Sequence, residues 1–299
     1  MVIFFERLLF DPKGFWQRLI VFLLSPLGFL LGEISYRLML RKKPVDFGIK
    51  TLSVGNLTVG GSGKTPLTAA IAALLPKPAV ILRGYGRKSS GLIVVDRETP
   101  IETAGDEALL YKRLAPHAVV IVSADRKDGI LKAVELGAEQ ALLDDGFRHR
   151  EIKKLDLLIR PNPEPLNRFV LPAGAFRLPE KAYALADIVA VESIDFIRVS
   201  AVLNPADRMV LVTAISRAHR LDPFLPKGVI AKYSFGDHHL FSRSECERII
   251  KRHDADSLLV TEKDAVKLES FGFNLSLLKL SIKLSETLKS KVLRYFLTA

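Results

Sequence analysis

The chain has 299 residues, enough for one large or two ordinary α/β units that bury their own cores without disulfide or metal support. Cys246 is the single cysteine, which excludes an intrachain disulfide and a cysteine-rich zinc cluster. Lys and Arg outnumber Asp and Glu by 44 to 33, a surplus that favours phosphate-rich partners, whether nucleic acid, anionic membrane or an acidic substrate, without choosing among them.

Residues 1–43 read as an apolar and basic helical segment. Within it, LIVFLLSPLGFLLG (19–32) runs uncharged between Arg18 and Glu33. As a helix this run covers about 21 Å, short of the ~30 Å of bilayer hydrocarbon, and Pro26 is expected to kink it. Glu6 and Asp11 interrupt the place of a basic n-region, so a cleaved secretory signal is not expected. Arg37, Arg41, Lys42 and Lys43 on one flank, with Phe15 and Trp16 on the other, suit the segment to a membrane surface. The alternative is a buried core helix.

Residues 44–160 alternate short apolar runs with helical patterns. Strands are predicted at 49–55, 79–83, 118–122 and 140–145, and helices at 66–75, 105–115 and 125–137, a succession of βαβ units that gives a parallel sheet covered on both faces. Five prolines fall within 161–185, which excludes a regular helix and predicts a segment crossing between two lobes. A second α/β series follows over 186–299, with strands at 187–192, 209–215, 229–235, 257–261 and 275–282 and helices near 242–253, 262–269 and 284–297.

The first of these strands runs into GNLTVGGSGKTP. A phosphate-binding loop needs a strand that aims the chain, glycines that let backbone N–H groups curl round anionic oxygens, and a helix whose positive N-terminus follows. Asn56, Gly60, Gly61, Ser62 and Gly63 supply the curl, Lys64 reaches the β and γ phosphates, and the Thr65 hydroxyl suits Mg²⁺. The strict pattern G-x-x-x-x-G-K-[ST] places a glycine at position 58, where this chain has Thr58. The Gly-Lys-Thr at a strand-to-helix junction still reads as a nucleotide site. The motif indicates a nucleoside triphosphate but not the acceptor.

The strand at 140–145 ends on Asp144 and Asp145, and one such carboxylate beside a phosphate loop organises Mg²⁺. Asp106 and Glu107 open a helix after Gly105. By position alone they read as capping residues, with proton abstraction from an acceptor hydroxyl as the functional alternative. LRGYGRKSSG brings Arg83, Arg87 and Lys88, with glycines that allow close approach, to a loop suited to phosphate or substrate, or to a solvated turn. FGDHH lacks a third ligand at zinc spacing, and TEKD reads as capping.

Together these pieces resemble the tetraacyldisaccharide 4′-kinases, which phosphorylate the lipid A precursor. GNLTVGGSGKTP, RGYGR, GDEALL, DDGF with His149, LPAGAFRLP, FGDHH and TEKDAVKL occur in that family's order between 53 and 268. The resemblance implies transfer of the ATP γ-phosphate to the 4′-hydroxyl of an acylated disaccharide 1-phosphate at the cytoplasmic face of the bacterial inner membrane. It implies that the loop with displaced glycine is the family's usual form. It further implies Asp106 as general base with His238 as its partner, Lys64 as a catalytic cation, Thr65, Asp145 and Glu107 around Mg²⁺, and Arg83, Tyr85, Arg126, His149 and Arg177 on the substrate. The chain departs from the pattern at Arg148, where many members have Gln, and at Leu178, where a carboxylate is common.

The expected fold is therefore α/β: a P-loop NTPase-like parallel sheet domain, a second smaller α/β domain, and an N-terminal membrane-associated helix. A membrane-docked P-loop switch that hydrolyses nucleotide without an acceptor is the alternative. Nucleic acid is not expected as a partner, because aromatic-basic interleaving and a reader fold are both missing.

Overall fold

The computed structural model describes residues 2–96, 98–215, 218–236 and 239–297. The chain begins with helices α1 (Val2–Phe10) and α2 (Phe15–Leu40). The first sheet and its helices then follow in the order β1 (Lys50–Asn56), α3 (Lys64–Ala72), β2 (Pro78–Leu82), β3 (Ile93–Val95), α4 (Ile101–Ala104), α5 (Asp106–Leu114), β4 (Val119–Val122), α6 (Arg126–Glu135), β5 (Gln140–Asp144), β6 (Leu155–Arg160) and β7 (Ile188–Val191). The rest of the chain forms β8 (Phe196–Leu203), β9 (Met209–Thr213), β10 (Val229–Ser234), α7 (Arg243–His253), β11 (Ser257–Thr261), α8 (Glu262–Leu268), β12 (Leu275–Leu284) and α9 (Glu286–Leu297).

Among the described residues, seven strands form a sheet in the order β3-β4-β2-β5-β1-β6-β7, and five form a second in the order β10-β9-β11-β12-β8. Pairing is parallel except at β3 and β8, each an antiparallel edge. Strands β2 and β9 are buried along their whole length, as apolar runs sandwiched between helices must be. In the first sheet β1 lies between β5 and β6, so the loop leaving β1 emerges beside the carboxyl end of β5. Open α/β sheets bind their ligands at such an edge.

Two elements expected in the second series belong to the first. β7 pairs with β6, and the proline-rich segment 161–185 therefore connects neighbouring strands of one sheet instead of crossing between lobes. Helix α9 returns to the first core, where Leu288 and Val292 pack with Leu52 and Val54 and the Tyr295 hydroxyl donates to the Thr51 carbonyl at 2.9 Å. Three strands, β3, β6 and β8, were not expected. Asp156 disguises β6: it is buried within the strand and is neutralised by Arg150 at 2.8 Å and Lys154 at 3.1 Å.

Helix α2 is longer than its uncharged run. Its 26 residues extend about 39 Å at 1.5 Å per residue, and by length and composition it could cross a membrane. The helix continues through Pro26, and the Ser25 hydroxyl donates at 2.9 Å to the Phe22 carbonyl, the acceptor that the missing Pro26 N–H leaves behind. Gln17, Val21, Gly28, Gly32 and Met39 form its buried stripe. Phe22, Phe29 and Leu30 are among the residues on its exposed face.

Candidate functional site

Strand β1 delivers the chain to the loop 57–63, which opens on an unusual support. Thr58 sits in an antiparallel bridge with Phe176, with Val59 N–H donating to the Ala175 carbonyl at 2.8 Å and Arg177 N–H to the Leu57 carbonyl at 2.7 Å. The Asn56 amide donates to the Thr58 carbonyl at 2.7 Å and lies 3.2 Å from its hydroxyl. A residue held in extended pairing has no need of a glycine's freedom, so Thr58 is the anchored base of the loop. The left-handed turns fall at Gly60 (φ 88°) and Gly63 (φ 87°), where glycine is needed.

Lys64 and Thr65 open α3. The Lys64 ammonium donates to Asn56 Oδ1 at 3.1 Å and lies 3.9 Å from Asp145 Oδ1. The Thr65 hydroxyl donates to Asp144 Oδ2 at 3.1 Å, and Tyr111 donates to the same oxygen at 2.7 Å. The hydroxyl on the loop thus reaches Asp144, whereas Asp145, at φ 57°, turns to Arg177 at 2.8 Å.

The two carboxylates are set apart electrostatically. Burial raises the Asp144 carboxyl above the ordinary range, against the pull of Lys64 and the Tyr111 and Thr65 hydrogen bonds. Burial acts on Asp145 in the same direction, but Lys64 and Arg177 outweigh it and hold that carboxyl below the ordinary range. Asp144 Oδ1 and Ser62 Oγ are buried without a hydrogen-bond partner, vacancies suited to a cation and an anionic oxygen respectively. Among the described residues no three His, Cys, Asp or Glu gather as a metal cluster. Mg²⁺ asks for less, since one or two carboxylates and substrate phosphates suffice, and Thr65, Asp144 and Asp145 fit it.

These groups border a cavity of about 980 Å³, which Arg83, Tyr85, Arg126, His149 and Arg177 also line. Arg126 is buried, donating to the Ser123 carbonyl at 2.8 Å and the Asp144 carbonyl at 3.2 Å; burial lowers its pKa from that of a free guanidinium. His149 Nδ1 lies 3.0 Å from Glu151 Oε1. Arg148 borders the same cavity, while Leu178 is buried with Phe147 and Phe176, so an apolar side chain completes packing at that departure from the family pattern.

Glu107 lines the cavity and Asp106 sits just behind it, 5% exposed. Asp106 and Glu107 do stand in the first turn of α5, behind Gly105 at the N-cap, where acids complement the helix dipole. The Asp106 carboxylate also meets Lys267 at 3.1 Å and Lys263 at 3.8 Å, both on α8. The TEKD stretch does cap: Thr261 accepts from Asp264 N–H, and buried Asp264 accepts from Thr213 and Ala214. Lys263 within it and Lys267 just after it, however, were not expected at Asp106. His238 and Asp237 lie outside the described residues. Arg198, Arg220 and Glu192 also border or support the loop and carry no sequence signal, since only the return of a distant strand brings them there.

Comparison with known proteins shows the family. The sequence model of the family described as tetraacyldisaccharide-1-P 4′-kinase matches residues 20–202 and 197–297. Among curated proteins, a tetraacyldisaccharide 4′-kinase of Aliarcobacter butzleri is 43% identical, covering 94% of this chain and 92% of its own length. One from Helicobacter pylori (strain HPAG1) is 41% identical, covering 99% and 95%. The crystal structure of the LpxK of Aquifex aeolicus, in complex with ATP, superposes with a TM-score of 0.75 at 28% identity, over 92% of this chain and 99% of that one. The chain belongs to the tetraacyldisaccharide 4′-kinase family.

Proposed function

We propose that this chain transfers the γ-phosphate of ATP to the 4′-hydroxyl of a tetraacyldisaccharide 1-phosphate in lipid A biosynthesis, at the cytoplasmic face of the inner membrane. The observation that carries the reading is the cavity on which the loop 60–65, the Asp144–Asp145 pair and five cationic or aromatic substrate candidates converge. Family membership supplies the acceptor.

Phosphoryl transfer has a loose transition state, so alignment and charge stabilisation supply most of the catalysis. The backbone of 60–63 cradles the phosphates, and Lys64 moves from Asn56 and Asp145 onto the β and γ oxygens. Thr65 with Asp144 and Asp145 would hold Mg²⁺, and Glu107 faces the same space. When bound, that ion draws charge from the terminal phosphates. Asp106 accepts the proton of the 4′-hydroxyl, with Lys263 and Lys267 holding its carboxylate toward α8 until substrate displaces them. Arg177, Arg83 and Arg126 add positive charge for the acceptor's 1-phosphate, and Tyr85 and His149 meet the sugar.

The exposed apolar face of α2, with Phe15 and Trp16 at one end and Arg41, Lys42 and Lys43 beyond the other, seats the enzyme on the bilayer where its acylated substrate resides. Incubation with radiolabelled ATP, with and without acylated disaccharide 1-phosphate, tests the reading by lipid chromatography. Label should enter the lipid. Equal phosphate release in both arms, with unlabelled lipid, would overturn it in favour of a nucleotide switch.

A further inference from the structure

We infer that Arg198 and Arg220, mounted together on the carboxylate of Glu192, form a two-arginine clamp that reaches the polyphosphate of ATP from the side of the second sheet. The inference rests on the reading of 60–65 as the phosphate loop and adds a pair of residues to it.

Strand β8 begins in the first core, where Phe196 is buried, and two residues later Arg198 lies over the loop. Its guanidinium stands where a Cβ at position 63 would be. Gly63 is required by its left-handed backbone, and a Cβ there would displace the Arg198 guanidinium. Arg198 Nε donates to Glu192 Oε1 at 2.6 Å and Nη2 to Oε2 at 3.3 Å. Arg220, from a 3-10 turn spanning Ala218–Phe224, donates through Nη2 to the same Oε2 at 3.0 Å and through Nη1 to the Gly61 carbonyl at 2.5 Å.

One carboxylate therefore carries two guanidinium ions beside a loop that already holds Lys64. A structural ion pair needs one arginine. The second brings another guanidinium fork to the loop, through its bond to Gly61, beside backbone N–H groups that attract anions. The guanidinium fork matches phosphate oxygens, and its five donors exceed what Glu192 accepts. Both arginines border the cavity that Arg177 and Arg126 also line, and they come from the strand and turn of the later part of the chain, so a phosphate chain in the loop meets positive charge from separate segments. Charge that spreads over equatorial oxygens during transfer is stabilised by such preset donors. Glu192 acts as a positioning residue, fixing the spacing of the two forks.

The test uses the full chain with R198A, R220A and R198K, and K64A as comparator, reading ATP affinity, kcat with the lipid acceptor, thermal midpoint, and rescue by added guanidinium ion. R198A and R220A should each weaken ATP binding on the order of tenfold and lower kcat by about 10²-fold at a near wild-type midpoint. R198K should recover only part of the loss, because an ammonium is a point charge, and guanidinium should raise kcat of R198A. Wild-type kcat and affinity in both alanine variants would overturn the clamp, and so would losses that track a fallen midpoint and ignore guanidinium. A wild-type protein that neither binds ATP nor labels lipid would instead sink the phosphate-loop reading itself.

Discussion

Thr58 pairs with Phe176 in an antiparallel bridge, so the phosphate loop starts on the backbone that ends, one residue later, in Arg177. The same segment reaches the N-terminal helix. Gly28 and Gly32 of α2 lie against Val170, and a Cβ on Gly28 would collide with the Val170 carbonyl. Val170 is itself bridged to Phe176. One line of packed backbone thus runs from the buried stripe of α2 through 170–177 to the entry of the loop.

That line predicts a mutation far from the phosphates that raises the KM for ATP. Gly32→Leu forces a side chain into the Val170 methyls, and overpacking of this kind costs about 1–3 kcal/mol. The thermal midpoint should fall, and the ATP KM should rise several-fold because Thr58 loses its partner's register. A variant whose midpoint falls while its ATP KM stays at the wild-type value would show that the bridge does not transmit the strain.

The exposed face of α2 makes a separate prediction. Phe22 and Phe29 are each 72% exposed, so their replacement by Ser costs the fold little, while each removes apolar area that a bilayer would bury, at about 25 cal/mol per Å². The double variant should pellet less with anionic vesicles than wild type, with an unchanged thermal midpoint in detergent-free buffer. Equal pelleting would move the membrane contact off this face.

Asp106 should behave as a base held by cations and not as a helix cap. Asp106→Asn keeps the shape and the start of the helix but removes the proton acceptor, so kcat should drop by about 10²-fold or more while ATP affinity holds. Lys267→Met leaves a buried carboxylate with one cation fewer, and breaking such a pair costs about 3–5 kcal/mol; its thermal midpoint should fall well below that of the wild type. If Asp106→Asn kept full turnover, the carboxylate would be structural only.

How much of this was legible in the sequence follows from which contacts are local. Lys64, Thr65, Asp144 and Asp145 are fixed by strand ends, and strand ends show as apolar runs stopping at glycine or aspartate. The partnership of Thr65 with Asp144 was hidden, because it depends on which neighbouring carboxylate faces α3. TEKD reads only as capping, and Lys263 and Lys267 carry no signal of their own, because their target lies on α5, more than 150 residues earlier in the chain. β8 escaped notice because, after buried Phe196, most of it is exposed; its antiparallel partner β12 holds it in place, a pairing without any local signature. The length of α2 was underestimated because charge at Arg18, Glu33 and Arg37 ends the apolar run without ending the helix, where Glu33 pairs with Arg37 at 2.8 Å and Lys181 at 2.6 Å.

A second tether from the end of α2 reaches His149, and its electrostatics give opposite shifts for two mutations. Lys42 pairs with Glu151 Oε2 at 2.8 Å, and His149 Nδ1 is 3.0 Å from Glu151 Oε1. Burial draws the Glu151 carboxyl upward, but the Lys42 and backbone hydrogen bonds, with His149, outweigh it and hold it at about 2. It is therefore an ionised acceptor at neutral pH, which makes Nδ1 the donor and leaves the lone pair on Nε2. Burial in turn lowers the pKa of His149 below its ordinary value; Arg126 and Lys42 push the same way, and Glu151 opposes them. Glu151→Gln removes the anion that favours the imidazolium, so the His149 pKa should fall further. Lys42→Met removes a cation that disfavours it, so the pKa should rise. Proton NMR titration of the ring, assigned against His149→Gln, reads both. If the neutral ring is the form that meets the sugar, the acid limb of kcat/KM for the lipid acceptor moves with it, downward in Glu151→Gln and upward in Lys42→Met. Shifts of the same sign in both variants would break the chain of charges from α2 to the site.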